Sequence, residues 1–442
     1  MGKTSVRVIG VFVTLLFFGL FVFAYAQEER MRPDRGFDRL TASGSRIPGQ
    51  YIVVLKDSVA DVDAAESDLL GRTRGEVINS YRSALRGFSA HLPDDALAAV
   101  KSDPRVEFVS EDYAVSINDS DRRGLSSFAH SSPSTLAVQS LPTGVNRIDA
   151  ENLTNTGAGV DVAVIDTGIF YVHPDLKNKV VGGKNCTTSS GGYLDQNGHG
   201  THVAGTIAAL NNGEGVVGVA PGVNLWSVRV LDRYGSGSWS SVICGLDYVT
   251  SKAPKNGGPI KVANMSLGGG GVSDNNCGLS NNDALHRAIC RARDAGVTIV
   301  VAAGNSGASA TGFVPAAYDD AVITVSALVD TDGKPGGLGV PNYYGADDTF
   351  ATFSNWGTPV DIGAPGVNIY STWLNNGYNT ISGTSMASPH VAGAAALYVA
   401  SHPGSSWAVV RDALRSAGEP LGAGHTDPSG RHPEPVLQAN TL

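Results

Sequence analysis

Four polar residues, spread over more than two hundred positions, together carry the groups needed to hydrolyse an acyl bond; they are Asp166, His199, Asn305 and Ser385. A serine hydroxyl is a poor nucleophile near neutral pH, so a base must accept its proton, and histidine is the usual base. A carboxylate on the other imidazole nitrogen fixes the tautomer, and a side-chain amide stabilises the charge on the attacked oxygen. The set predicts Ser385 as nucleophile, His199 as general base and acid, Asp166 as the orienting carboxylate and Asn305 as an oxyanion donor.

Each of these residues alone also has a structural explanation. An Asp after a strand is a common turn residue, an Asn after Gly is a common cap, and a Ser at the start of a helix is most often only an N-cap. The four residues can form one active site only if the fold brings them together.

The chain beyond residue 137 alternates short apolar segments with helical patterns. Predicted strands cover residues 160–166, 223–231, 261–267, 297–304 and 321–328, and predicted helices cover 202–210, 240–251, 282–296 and the segment after Ser385. The strands are almost continuously Val, Ile and Ala, which predicts burial on both faces in a doubly wound, mostly parallel α/β sheet with helices on both faces. Such sheets place function at the carboxyl ends of their strands, where Asp166 and Asn305 lie.

A smaller α+β unit is predicted over residues 49–117. Its expected strands are 51–57, 87–93 and 106–115, and its expected helices are 60–70 and 94–101. The other segments are a signal peptide (1–26), a polar linker (27–48), an exposed Ser-rich linker (118–136), the main domain (137–420) and a polar C-terminal tail (421–442).

The signal peptide prediction depends on Lys3 and Arg7, an apolar run over 8–23, and Ala24-Tyr25-Ala26 at the expected cleavage site. An uncleaved membrane anchor is the alternative, since the run is nearly long enough to span a bilayer. A cleaved signal predicts a secreted, extracellular protein with no membrane association after its removal.

The net charge and the cysteine content bear on the partners and on the disulfides of this protein. The net charge of −9, without a dense basic run, argues against a nucleic-acid partner. Export makes disulfides possible, and four cysteines allow three pairings. Cys277 and Cys290 close the shortest loop, which leaves Cys186 for Cys244; free buried thiols are the alternative.

The order Asp, His, Ser along the chain is that of the subtilisins and not that of the α/β-hydrolases. Three motifs extend the likeness: VAVIDTGI around Asp166, NGHGTHVAGTIAA around His199 and GTSMASPHVAG around Ser385. Between them, GVAPGVNLWSVRVLDRYGSGS, ANMSLGGG and VVAAGNS match as well, so that the likeness covers roughly residues 137–418. The sequence resembles the subtilisin-like serine proteases, closest to the secreted proteinase K-like branch.

This resemblance implies a substrate cleft. Strand residues Ser266, Leu267, Gly268 and Gly269 would pair with the substrate backbone and, with Ala302 to Gly304, wall a roomy apolar specificity pocket. Gly235 to Gly237 would form the opposite edge, so that an extended peptide would be bound by strand addition on both sides. His202 falls at the non-catalytic position of its motif.

The resemblance also implies a zymogen that binds calcium. Residues 49–117 look like the family's inhibitor-type propeptide, cut away autocatalytically between Ile117 and Ala137, and the mature enzyme would be a monomeric secreted endopeptidase acting on proteins or peptides. A structural calcium ion would be held by the Asp361 carboxylate and the carbonyls of Asp319 and Ala321. The alternatives are a catalytically silent binding protein of the same fold and an esterase of a different fold.

Overall fold

The computed structural model describes residues 44–117 and 138–442. The predicted signal peptide, most of the predicted linker 27–48 and the whole of the predicted linker 118–136 lie outside the described residues. The described chain contains the following strands: β1 Arg46–Leu55, β2 Glu76–Tyr81, β3 Gly87–His91, β4 Val106–Ser116, β5 Asp161–Asp166, β6 Val180–Asn185, β7 Asn224–Arg229, β8 Ser236–Ser238, β9 Ile260–Met265, β10 Gly269–Gly270, β11 Thr298–Ala302, β12 Phe313–Val314, β13 Ile323–Val329, β14 Thr349–Phe350, β15 Ile362–Pro365, β16 Ile369–Thr372 and β17 Tyr378–Ile381. Its α-helices are α1 Val62–Thr73, α2 Asp94–Lys101, α3 Thr143–Arg147, α4 His199–Ala208, α5 Trp239–Ser251, α6 Ala284–Asp294, α7 Thr384–Ser401 and α8 Trp407–Ala417.

The first sheet is antiparallel, in the order β2-β3-β1-β4-β8, and α1 and α2 complete an α+β unit. Strand β1 begins at Arg46, inside the segment predicted as a linker, because the chain just before it already pairs with β4. Gly44 N donates to Ala114 O at 2.8 Å, and Ala114 N donates to Ser45 O at 2.8 Å. Strand β2 was not predicted, since its six residues EVINSY leave few side chains buried.

The second sheet has the order β14-β13-β11-β9-β5-β7-β6, with β15 also paired to β13. Every pair in it is parallel except β13–β14. The five strands predicted for this domain begin and end within two residues of β5, β7, β9, β11 and β13. The predicted doubly wound, mostly parallel fold is therefore confirmed.

Helices cover both faces of this sheet, as the continuous apolar strands indicated. Along β5, Val162 and Val164 pack into one core with α4 and α7, whereas Ala163 and Ile165 pack into another with α5 and α6. Successive side chains of a strand point to opposite faces, so that a strand between two cores must be apolar at every position.

The segment 421–442, predicted as a polar tail, packs onto the main domain in the structure. Val436, Leu437 and Ala439 are buried, and the backbone pairs with β15 through Gly363 N to Pro435 O and Leu437 N to Gly363 O, both at 2.8 Å. A short apolar group inside a polar stretch is enough to bury this segment, because β15 offers it an open edge.

Two disulfides join parts of the main domain. One joins Cys186, just after β6, to Cys244 on α5, and the other joins Cys277 to Cys290 on α6. Within the described residues, no helix combines the length and the apolar character needed to cross a membrane.

Candidate active site

Asp166 and His199 meet at the carboxyl edge of the main sheet. Asp166 is the last residue of β5 and His199 is the first residue of α4, and both are buried. His199 Nδ1 lies 2.8 Å from Asp166 Oδ1 and 2.9 Å from Oδ2. A carboxylate at that distance keeps the proton on Nδ1, which places the basic lone pair of the imidazole on Nε2.

Asp195 holds these two elements together, and sequence reasoning missed it. Its buried carboxylate accepts hydrogen bonds from Gly198 N and Thr201 N at the start of α4. It also accepts one from Thr167 Oγ1, next to Asp166, at 2.9 Å. An acidic residue a few positions before a helix start is a recognisable capping signal, and here it aligns the start of α4 with the end of β5.

Ser385 lies in the first turn of α7 and is almost fully buried. The turn is fastened to the strand end after β9, where Ser266 Oγ donates to Ser385 O at 2.8 Å. Asn264 in turn donates to Ser266 Oγ at 2.9 Å and accepts from Ser388 Oγ at 2.6 Å. Ser266, predicted to contact substrate, thus has a buried side chain that positions the helix carrying Ser385.

The Asn305 amide has a fixed orientation beside this turn. Its Oδ1 accepts hydrogen bonds from Thr384 N and Thr384 Oγ1, both at 2.8 Å. The amide nitrogen must therefore face the other way. The Ser385 backbone N–H is among the first four of α7, which have no acceptor within a helix, so it and Asn305 Nδ2 are two donors suited to one oxyanion.

A cavity opens next to Ser385 and Asn305. Its lining contains the predicted wall residues Leu267, Gly268, Gly269, Ala302 and Gly304. Sequence reasoning missed three further lining residues, because nothing in their local pattern separates them from ordinary core; they are Phe313, Val314 and Ala316. Glycine and alanine on the walls leave room for a large apolar side chain.

The end of the first sheet fills the predicted substrate cleft. Ala114, Val115 and Ser116 pair antiparallel with Ser238, Gly237 and Ser236 of β8. On the other side Ser116 pairs with Gly268, and Ile117 N donates to Gly235 O at 3.1 Å. An extended segment thus lies between both edges that were predicted to bind substrate.

His202, in the same motif as His199, has a structural role. Its Nε2 lies 2.9 Å from the Ile369 carbonyl oxygen, and the residue is fully buried. Burial lowers the pKa of His202 to about 3, so that it stays neutral over the physiological range.

The residues predicted to bind calcium, Asp319, Ala321 and Asp361, do not fit a cation site in this structure, because two arginines of α8 already contact Asp319 and Asp361. Asp361 is buried, and its Oδ1 accepts from Arg415 Nη1 at 3.0 Å. Arg411 Nη1 lies 3.5 Å from the Asp319 carbonyl oxygen, and its Nε lies 3.8 Å from Asp361 Oδ1. Burial raises the pKa of Asp361 to about 6, and both guanidinium groups oppose that rise. A group of three carboxylates with oxygens within 4.8 Å of one another lies elsewhere in the described chain, at Asp330, Asp332 and Asp347.

We expect Arg415→Gln to lower the free energy of unfolding by about 1–2 kcal/mol, because it removes a charged donor from a buried carboxylate while Arg411 remains. Calorimetry in calcium and in EDTA checks this, and the same decrease is expected in both. A decrease confined to EDTA would show that calcium replaces the guanidinium at Asp361.

Comparisons with known proteins identify the class. Residues 157–429 match the model of the subtilase family, and residues 50–118 match the peptidase inhibitor I9 family. The chain belongs to the subtilase family and is a serine endopeptidase made as a zymogen with an I9 propeptide.

Individual relatives agree with this class. The chain is 39% identical to the extracellular serine proteinase of Thermus sp. (strain Rt41A) over 398 residues, covering 83% of this chain and 84% of that one. It is 37% identical to subtilisin amylosacchariticus of Bacillus subtilis subsp. amylosacchariticus over 389 residues, covering 86% and 88%. A crystal structure of a cold adapted subtilisin-like serine proteinase superposes with a TM-score of 0.55 at 36% identity, covering 67% of this chain and 97% of that one.

Proposed function

We propose that Asp166, His199 and Ser385 form the catalytic triad of this peptidase and that Asn305 stabilises the oxyanion. The observation that carries the proposal is the contact of His199 Nδ1 with both oxygens of Asp166, at 2.8 and 2.9 Å, at the sheet edge that also carries Ser385. His199 Nε2 takes the proton of the Ser385 hydroxyl as Oγ attacks the scissile carbonyl. His199 then gives that proton to the leaving amine. Water takes the place of the amine in the second half: His199 accepts its proton as it attacks the acyl carbon, and returns a proton to Ser385 Oγ as the bond between Oγ and the acyl carbon breaks.

The segment that lies in the cleft indicates how a substrate peptide would bind. A peptide would add as a strand between Gly235–Gly237 and Leu267–Gly269, as Ala114 to Ser116 do. Its side chain next to the cleaved bond would enter the cavity walled by Ala302 and Gly304, which suits a large apolar or aromatic group.

A fluorophosphonate probe tests the function directly. An adduct on the peptide that contains Ser385, in processed protein that also digests casein, is the expected result. Absence of the adduct would favour the catalytically silent binding protein. Ester hydrolysis without casein digestion would favour the esterase.

Residues 49–117 are proposed as the intramolecular inhibitor, supported by buried polar contacts with α5. Asp112 Oδ1 accepts from Ser240 N at 3.0 Å, and Tyr81 OH donates to Ser240 O at 2.9 Å. Asp247 on α5 accepts from three consecutive backbone N–H groups, those of Arg82, Ser83 and Ala84. Cleavage is proposed between Ile117 and Ala137, with secretion as a monomer after removal of residues 1–26.

Asp112→Ala is expected to weaken propeptide binding by about 1–3 kcal/mol, or roughly fivefold to 150-fold, because it leaves Ser240 N–H buried without an acceptor. The measurement is the lag between processing and the appearance of casein-digesting activity, which should shorten. Asp94→Asn, an exposed change on α2, is the control and should keep the parent's lag. An equal lag in the Asp112 variant would contradict the inhibitory contact.

A further inference from the structure

Three carboxylates converge in the loop that joins β13 to β14. Asp330 and Asp332 follow β13, and Asp347 precedes β14. One oxygen from each carboxylate lies within 4.8 Å of the other two. Asp330 and Asp347 are only 2% and 4% exposed, whereas Asp332 is open to solvent.

One buried oxygen of this group lacks a partner among the described residues. Asp330 Oδ1 accepts from Gly333 N at 2.8 Å, but Asp330 Oδ2 has no hydrogen bond. The loop backbone already uses both oxygens of Asp347, which accept from Thr331 N and Gly339 N at 2.8 Å. A buried carboxylate oxygen without a partner carries a desolvation cost, whereas water satisfies an exposed one, so the Asp330 oxygen indicates a missing ligand.

Arg147, a buried cation whose charge acts on Asp330, forms its ion pairs with other carboxylates. Arg147 Nε donates to Asp348 Oδ1 at 2.7 Å, and its Nη2 donates to Glu419 Oε1 at 2.9 Å. Three carboxylates within this distance repel one another, and two of them are buried, so the group needs a further positive charge.

We propose that Asp330, Asp332 and Asp347 bind one calcium ion. Oxygens in one calcium coordination sphere lie about 2.4 Å from the ion and so at most about 4.8 Å apart, which these three satisfy. Calcium accepts carboxylate oxygens in an irregular coordination geometry. Asp332 is exposed to solvent, so water can reach the ion there and complete its coordination shell. Asp330 Oδ2 is the ligand that nothing else in the described chain satisfies.

The bound ion would hold the loop to the C-terminal segment. Thr426 N donates to Asp348 O at 2.9 Å, and Gly336 N donates to Gly424 O at 2.8 Å. Neutralising the carboxylates beside these bonds removes the repulsion that would otherwise open the loop. Calcium should therefore raise the temperature at which this part of the protein unfolds.

Equilibrium dialysis with radioactive calcium tests the site in the full chain carrying Ser385→Ala, which prevents self-digestion. At about 1 mM free calcium, the upper end for extracellular sites, Asp332→Asn and Asp347→Asn should each bind one calcium ion fewer per chain than the parent. Asp361→Asn and the exposed change Asp294→Asn are the controls and should lose none. Unchanged stoichiometry in both loop variants would overturn the proposal. Should Asp347→Asn not fold, Asp332→Asn carries the test, because its side chain is exposed.

A second measurement, of the Tm with and without calcium, distinguishes a bound calcium ion from a protonated Asp330. If calcium occupies the site, calcium should raise the Tm of the parent, and Asp330→Asn should lose most of that rise. If Asp330 is instead protonated and no ion binds, calcium should change the Tm of the parent and of Asp330→Asn by the same amount. Neither readout depends on peptidase activity, so failure here leaves the catalytic proposal intact.

Discussion

Ser385→Ala should abolish peptide hydrolysis and leave the precursor uncut. The change removes the atom that forms the acyl-enzyme, while Ser266 Oγ still binds the backbone of the same turn, so α7 should keep its place. The expected loss, about 10⁶-fold in kcat, is the value known for the nucleophile of a subtilisin and is taken from that enzyme. Casein digestion and the mass of the secreted product measure the two effects.

Ser401→Ala, an exposed change at the far end of the same helix, is the matched control and should process normally. A trace of wild-type enzyme added to the Ser385 variant should cut it in trans to the mature size and no further, which would show that the variant is folded and cleavable. Full processing of the pure variant would mean that another protease matures the chain or that Ser385 is not the nucleophile.

Asp166→Asn should retain the fold and lose about 10⁴-fold in kcat, a magnitude known from serine proteases with this triad. An amide oxygen can still accept from Thr167 N, which donates to Asp166 Oδ1 at 2.7 Å. An amide cannot balance the imidazolium charge, and its N–H favours the wrong tautomer of His199. KM should change little, because the carboxylate contacts the imidazole and not the substrate.

Asp161→Asn supplies the control at the other end of β5. This buried carboxylate accepts from Asn224 Nδ2 and Trp226 Nε1, far from the edge that carries the site. Its loss should affect stability and leave kcat per titrated active site unchanged. Equal losses of kcat in the two variants would point to damage of the strand and would remove the assigned role of Asp166.

The sequence alone determined the class of fold and the positions of the residues whose side chains can take part in the reaction. Strands buried on both faces must be apolar at every position, so β5, β9, β11 and β13 were visible in the composition of single segments. Asp166 and Ser385 were marked by their place at a strand end and a helix start, and by motifs of the subtilase family. The finer placement in the proteinase K-like branch stays a prediction.

Only the tertiary structure decided which charges meet. The residues around Asp319 and Asp361 resemble a calcium site locally, yet α8, some fifty residues further along the chain, brings Arg411 and Arg415 onto them. The carboxylates of Asp330 and Asp347 converge because the loop closes on itself and on the C-terminal segment. Local patterns report burial and periodicity, whereas the electrostatics of a site depends on which distant elements pack against it, and no single segment contains that information.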